Sequence, residues 1–103
     1  TAGATDGPRS LGGTCGRPAA SDPHNPAVSP DRFRLLMAAE DADEFLRLLR
    51  GVLAQLDRRA PLRDVFDLAL AWSRPAAREA QRRRQLLHYW RAVPAEALEE
   101  RRG

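Results

Sequence analysis

Lysine and isoleucine are absent, and cysteine and methionine occur once each among 103 residues. Each shortage excludes something. A single thiol, Cys15, cannot build an intrachain disulfide framework, and two histidines with one cysteine cannot supply the ligands of an ordinary structural zinc site. Long apolar runs are missing too. No uncharged apolar stretch is longer than that of Leu68 to Trp72, far short of the ~20 residues needed to cross a bilayer. No basic segment leads into an apolar one at the start, so nothing reads as a secretory signal, and the cytoplasm is the default expectation. The chain opens at Thr1, as a fragment or processed segment would. Isoleucine is absent, valine is scarce, and no stretch alternates β-branched with polar residues, so no strand is expected.

What is present is arginine. Seventeen basic residues face 14 acids for a net charge of +3 and a pI near 10.3. The excess is not spread evenly. Residues 1–30 are balanced, residues 31–70 hold seven arginines against eight acids, and residues 71–103 hold eight against four. A GC-rich genome accounts for arginine in place of lysine but not for the clustering, which points to a polyanionic partner.

Residues 1–29 read as an extended or disordered lead. Residues 1–30 carry five of the eight prolines and five of the seven glycines, with Leu11 and Val28 the only aliphatics larger than alanine. Such a segment buries too little to offset its ordering entropy, unless a neighbour packs on Leu11 and Cys15. From Ser29 the composition changes, and residues 30–103 are expected to form a small antiparallel helical bundle, all-α, of four to five helices.

Ser29-Pro30-Asp31 starts a helix over 30–38, with Phe33, Leu36 and Met37 on one side. Asp41 and Glu44 make a capping box ahead of Phe45, Leu48, Leu49, Val52, Leu53 and Leu56, which places an amphipathic helix at 42–57. Gly51 weakens it unless a close contact needs it. A polar link over Asp57-Arg58-Arg59 leads to a helix at 62–72. Ser73-Arg74-Pro75 then opens one at 75–92, with Ala76, Ala80, Leu87 and Trp90 as its core stripe and Leu86 and Tyr89 beside it. Pro94 opens a short turn that frays into Glu99, Glu100 and Arg101.

Credible catalytic residues are lacking. Asp64 and Asp67 read as a solvated face, not a metal site. His88 has no serine or cysteine near it in sequence to make a nucleophile–base pair. Gly12-Gly13-Thr14-Cys15-Gly16 lacks the strand, lysine and hydroxyl of a phosphate loop. No enzyme, cofactor or metal is expected. The richest feature is the helix at 75–92, where Arg74, Arg78, Arg82, Arg83, Arg84 and Arg91 face the single acid Glu79. Arg74, Arg78 and Arg82 share one side, Arg84 and Arg91 another, and Arg83 lies closer to the core stripe. A row of guanidinium groups suits a phosphate track, not a base pattern. Arg74, Arg78, Arg82, Arg84 and Arg91 are the expected nucleic-acid contacts, Arg82 and Arg84 foremost, with Arg47 and Arg50 second. Trp72, Tyr89 and Trp90 are expected as core or interface anchors, with base stacking the other reading.

Four segments, in order, resemble the CasB family, the small subunit of the type I-E CRISPR Cascade complex. Pro30-Asp31-Arg32-Phe33-Arg34-Leu35-Leu36 is similar to the family's RRF-x-x-LL start. Asp43 to Leu53 resembles its second helix. Pro61-Leu62-Arg63-Asp64-Val65 through Trp72 resembles its pLD…W segment. Arg82-Arg83-Arg84 through Tyr89-Trp90-Arg91 resembles its closing arginine–aromatic run. Ser10 to Thr14 is similar to a short motif in the lead. Gln85 stands where the family usually has tryptophan, Arg63 replaces the usual acid, and a further N-terminal helical part is missing, as in a C-terminal bundle or truncated form. The resemblance implies a non-catalytic helical subunit of a bacterial, cytoplasmic complex. It would contact guide RNA and target or displaced DNA through the backbone, beside other subunits and a second copy of itself, and away from any membrane. The rival readings are a protein-interaction adaptor for an acidic partner, and a helix-turn-helix regulator with Gln81 and Gln85 reading adenine.

Overall fold

A computed structural model of the chain describes residues 10–56 and 60–102. The elements are α1 (Leu11–Gly16), α2 (Pro30–Met37), α3 (Ala42–Leu56), α4 (Leu62–Trp72), α5 (Pro75–Ala92) and α6 (Ala95–Arg102). No strand occurs among the described residues, only an isolated bridge between Pro18 and Pro26. The fold is all-α, a small helical bundle in which α5 packs on α1 and α4, and α3 packs on α2 and α4. Residues 1–9 and Asp57-Arg58-Arg59 lie outside the described residues, as do the side chains of Glu99, Glu100 and Arg101.

Local chemistry sets most boundaries. Ser29 caps α2, its Oγ accepting from the Arg32 N–H. At the start of α3 the Glu44 N–H donates to Asp41 Oδ1, and the Glu44 carboxylate reaches back to the Glu40 N–H. Orphan amides of the first turn are thereby satisfied. Ser73 does not repeat the role of Ser29: its hydroxyl donates to the Leu70 carbonyl and closes α4, while Arg74 stands at the cap of α5 without a side-chain bond to it. Residues after Pro94 continue as helix α6, not as a frayed turn. Over Gly51 sits only the end of the flexible Arg32 side chain, so that glycine is tolerated, not required.

Two stacked aromatic pairs knit the core. Phe33 of α2 lies on Tyr89 of α5 at 4.4 Å and 7°, and Phe45 of α3 lies on Trp72 of α4 at 4.2 Å and 22°. Each fully buried ring of this kind contributes about 1.5–3 kcal/mol. The polar tips are paired as well. Trp72 Nε1–H donates to the Ala39 carbonyl at 2.9 Å, and the Tyr89 hydroxyl donates to the Val28 carbonyl at 2.7 Å.

The lead departs from expectation over residues 10–28. A six-residue helix is marginal alone, yet α1 is capped from three directions. The Leu11 N–H donates to Asp64 Oδ2 at 2.7 Å, the Gly12 N–H to Gln85 Oε1 at 2.6 Å, and the Gly13 N–H to Ser10 Oγ at 3.0 Å. Gly12 and Gly16 lie against the backbone carbonyls of Gln85 and Tyr89 so closely that a Cβ at either position would overlap the oxygen. Leu11 and Cys15 are fully buried. The neighbour that this segment needs is therefore α5 of the same chain.

The core stripe of α5 is also rotated from expectation. Ala76, Ala80, Leu87 and Trp90 are exposed, while Gln85 and Tyr89 are buried and Arg78 and Arg82 half-buried. The reason is that the ends of α1 and α2 abut α5. Backbone amides and carbonyls there need polar partners, which an alanine–leucine stripe cannot supply.

Candidate nucleic-acid interface

The arginines of α5 divide into two groups by what they touch. Arg82 is a structural hub. Its Nε donates to the Met37 carbonyl at 2.6 Å and its Nη2 to the Ala39 carbonyl at 3.3 Å, closing the C-terminal end of α2. Its Nη1 pairs with Glu79 at 2.8 Å, and the guanidinium carbon stands 5.9 Å from the Trp72 ring centroid. Arg78 Nε donates to the Trp72 carbonyl at 3.0 Å. Arg84 Nη1 pairs with Asp64 at 3.3 Å and with Gln81 Oε1 at 3.0 Å. These three side chains already hold partners within their own fold, and they include the two arginines foremost among the expected contacts.

The second group faces outward. Arg74 and Arg91 on or beside α5, and Arg47 and Arg50 on α3, are exposed and hydrogen-bond to no side chain among the described residues. Arg83, expected near the core, belongs with them and is exposed. The structure thus keeps four of the seven expected contacts at the surface and adds a fifth.

Of the aromatic trio, Trp72 and Tyr89 are core anchors with no exposed surface. Trp90 is 37% exposed, edge-on to Tyr89 at 5.2 Å between centroids. It borders a half-open cleft of about 170 Å³ between α2 and α5, lined by Pro30, Phe33, Arg34, Leu86, Tyr89 and Trp90.

Gln85 cannot read a base edge: it is fully buried, joining the Gly12 N–H to Asp64, while the half-buried Gln81 accepts from Arg84 through its Oε1. The helix-turn-helix alternative loses one of its two recognition residues by this arrangement. Asp64 is nine-tenths buried and holds the Leu11 N–H, Gln85 and Arg84, whereas Asp67 is exposed. Ser10 meets His88 across the fold, Oγ to Nδ1 at 2.8 Å. That hydroxyl accepts from the Gly13 N–H, so the contact completes the α1 cap. Sequence reasoning missed the Asp64–Gln85 pair. Its signal was register: Asp64 shares a stripe with Leu68 and Trp72, and Gln85 lies one turn from Tyr89.

Burial pushes the Cys15 thiol up to about 12 from 9.0. The folded thiol stays protonated while the unfolded one ionises, so its contribution to stability is fully present below pH 9 and is lost as pH rises toward 12. Iodoacetamide at pH 8 is expected to leave Cys15 unmodified in the native chain and to label it fully in denaturant. Rapid native labelling would contradict the burial.

Large apolar side chains also face outward. On α4, Leu62, Phe66 and Leu70 repeat every fourth residue and are 68–71% exposed, on the side opposite Leu68 and Trp72. A helix apolar on both faces is suited to burial on both.

A strand-free bundle with outward arginines and an uncovered apolar ridge has the surface of a component of a larger assembly. Comparison with known families identifies which one. A model described as CRISPR-associated protein Cse2 matches residues 2–90, and the chain belongs to that family, the small subunits of the type I-E Cascade complex. The family is a non-catalytic structural subunit of Cascade in CRISPR defence. No curated protein and no solved structure matches the chain. No helix among the described residues is long and apolar enough to cross a membrane.

Proposed function

We propose that this chain lines the nucleic-acid path of the surveillance complex. It grips the sugar–phosphate backbone of guide RNA, target or displaced DNA strand without reading sequence, and so stabilises the target-bound state. The observation that carries this reading is a group of exposed guanidinium side chains on or beside α3 and α5, Arg47, Arg50, Arg74, Arg83 and Arg91, none ion-paired among the described residues. Guanidinium groups match phosphate oxygens in fork geometry. Guide pairing supplies the sequence choice in such complexes, and protein supplies the positive channel. Arg78, bonded to a neutral carbonyl, adds to the positive field from within the fold, while Arg82 and Arg84 are offset by Glu79 and Asp64. The Leu62–Phe66–Leu70 ridge supports docking on another protein subunit of the complex, and a second copy of the chain is the further partner of this reading.

The test is the triple charge reversal Arg74→Glu, Arg83→Glu and Arg91→Glu in the assembled complex. Target-DNA retention is expected to fall. The slope of log K against log salt should become shallower by about 2, at ~0.7 for each single-strand phosphate no longer neutralised. An unchanged affinity and slope would overturn the assignment. The apolar ridge also favours a second reading, an adaptor whose arginines meet an acidic protein. In that case the same variant loses a protein subunit at full DNA affinity.

A further inference from the structure

The cleft beside Trp90 has a composition that the backbone-gripping reading does not use. Its walls are apolar and aromatic, from Pro30, Phe33, Leu86, Tyr89 and Trp90, and its one charged lining residue is Arg34. Among the described residues Arg34 is ion-paired only to Asp31, three residues away and 80% exposed at its side chain. An exposed pair of that kind is worth little and exchanges readily for a phosphate. On the outer face of α5, Arg83 lies two turns before Trp90 and Arg91 follows it, both exposed. The nearest acid on that helix, Glu79, is held by Arg82. An apolar slot with one arginine in its wall and two more exposed along the same helix as Trp90 is complementary to a flat, uncharged ring carried on a phosphate chain.

We propose that this cleft takes an unstacked nucleobase of a single strand, held against Trp90, while Arg34, Arg83 and Arg91 hold the flanking phosphates. The inference rests on the polyanion reading above and adds a base contact to it. Every base has a π-face, so the contact is tolerant of sequence. Of the three aromatic residues Trp72, Tyr89 and Trp90, only Trp90 is placed for it, because Trp72 and Tyr89 have no exposed surface.

The test is a two-by-two comparison on the full chain at low salt. The probes are a short oligothymidylate and the same oligonucleotide made abasic. The proteins are the natural chain and Trp90→Leu. The natural chain is expected to bind the base-bearing strand about tenfold tighter than the abasic one. Trp90→Leu is expected to bind both alike, at the weaker level, with the salt slope unchanged. Trp90→Phe, which keeps a ring, should restore most of the difference, and far-ultraviolet circular dichroism checks that each variant keeps its helices. If Trp90→Leu weakens binding by the same factor on both strands, or on neither, the base contact is wrong and the phosphate reading stands. If the natural chain binds neither strand, both readings fail. Should Trp90→Leu bind both strands normally yet drop out of the assembled complex, the cleft takes a protein side chain and the proposal is overturned.

Discussion

Replacing Gly12 with alanine is expected to lower the stability of the chain by about 3 kcal/mol, the upper part of the range for forced overpacking. The added methyl would overlap the Gln85 carbonyl oxygen, which belongs to the backbone of α5 and cannot rotate away. Relief requires α1 to lift off α5. Lifting it breaks the Gly12 N–H to Gln85 bond and the Leu11 N–H to Asp64 bond, leaving the buried Gln85 Oε1 without its donor and taking one of three partners from the Asp64 carboxylate. For a domain of this size, a loss of that order lowers the melting temperature by roughly 12–24 °C. Gly16→Ala meets the Tyr89 carbonyl in the same way and should behave alike. Thermal unfolding followed by circular dichroism decides the matter. A change below about 1 kcal/mol at both glycines would mean that α1 does not dock on α5 as described.

The opposite pattern is expected for Phe66→Asp combined with Leu70→Asp. Both side chains are about 70% exposed on the far side of α4 from the core, so folding stability should change by no more than about 0.5 kcal/mol. Incorporation into the complex is expected to fall at least about a hundredfold, because two carboxylates would have to enter an apolar contact without partners. Copurification with the other complex subunits measures the loss, and the melting temperature serves as control. Normal incorporation of the double variant would assign the ridge to bare surface.

The two expectations differ in how far the sequence alone could supply them. The bounds of α2, α3, α4 and α5 follow from short-range signals: a capping serine, a capping box, proline at the first helical position, and leucines at helical spacing. Those signals act within a few residues and were legible. The α1 helix was not, because hydrophobic periodicity cannot register a segment held by glycine contacts and by capping groups 53 and 73 residues away. The α5 helix offered two stripes. Ala76, Ala80, Leu87 and Trp90 are the more apolar, yet Arg78, Arg82, Gln85 and Tyr89 face inward, since two helix ends beside them needed donors and acceptors. The same fact reorders the candidate site. An arginine count identifies charge, but only the fold separates guanidinium groups already bonded to carbonyls from those open to a ligand. Trp72 and Tyr89 as core anchors were readable from their place at helix ends, while the cleft beside Trp90 depends on how α2 leans on α5.

Arg82 ties the last turn of α2 to the middle of α5 through one planar fork that reaches two carbonyls and a carboxylate at once. An ammonium, a compact point charge on a flexible stem, would not present the same fork. The absence of lysine thus has a mechanical meaning at this position, where a flat, rigid clasp fastens one helix to the end of another.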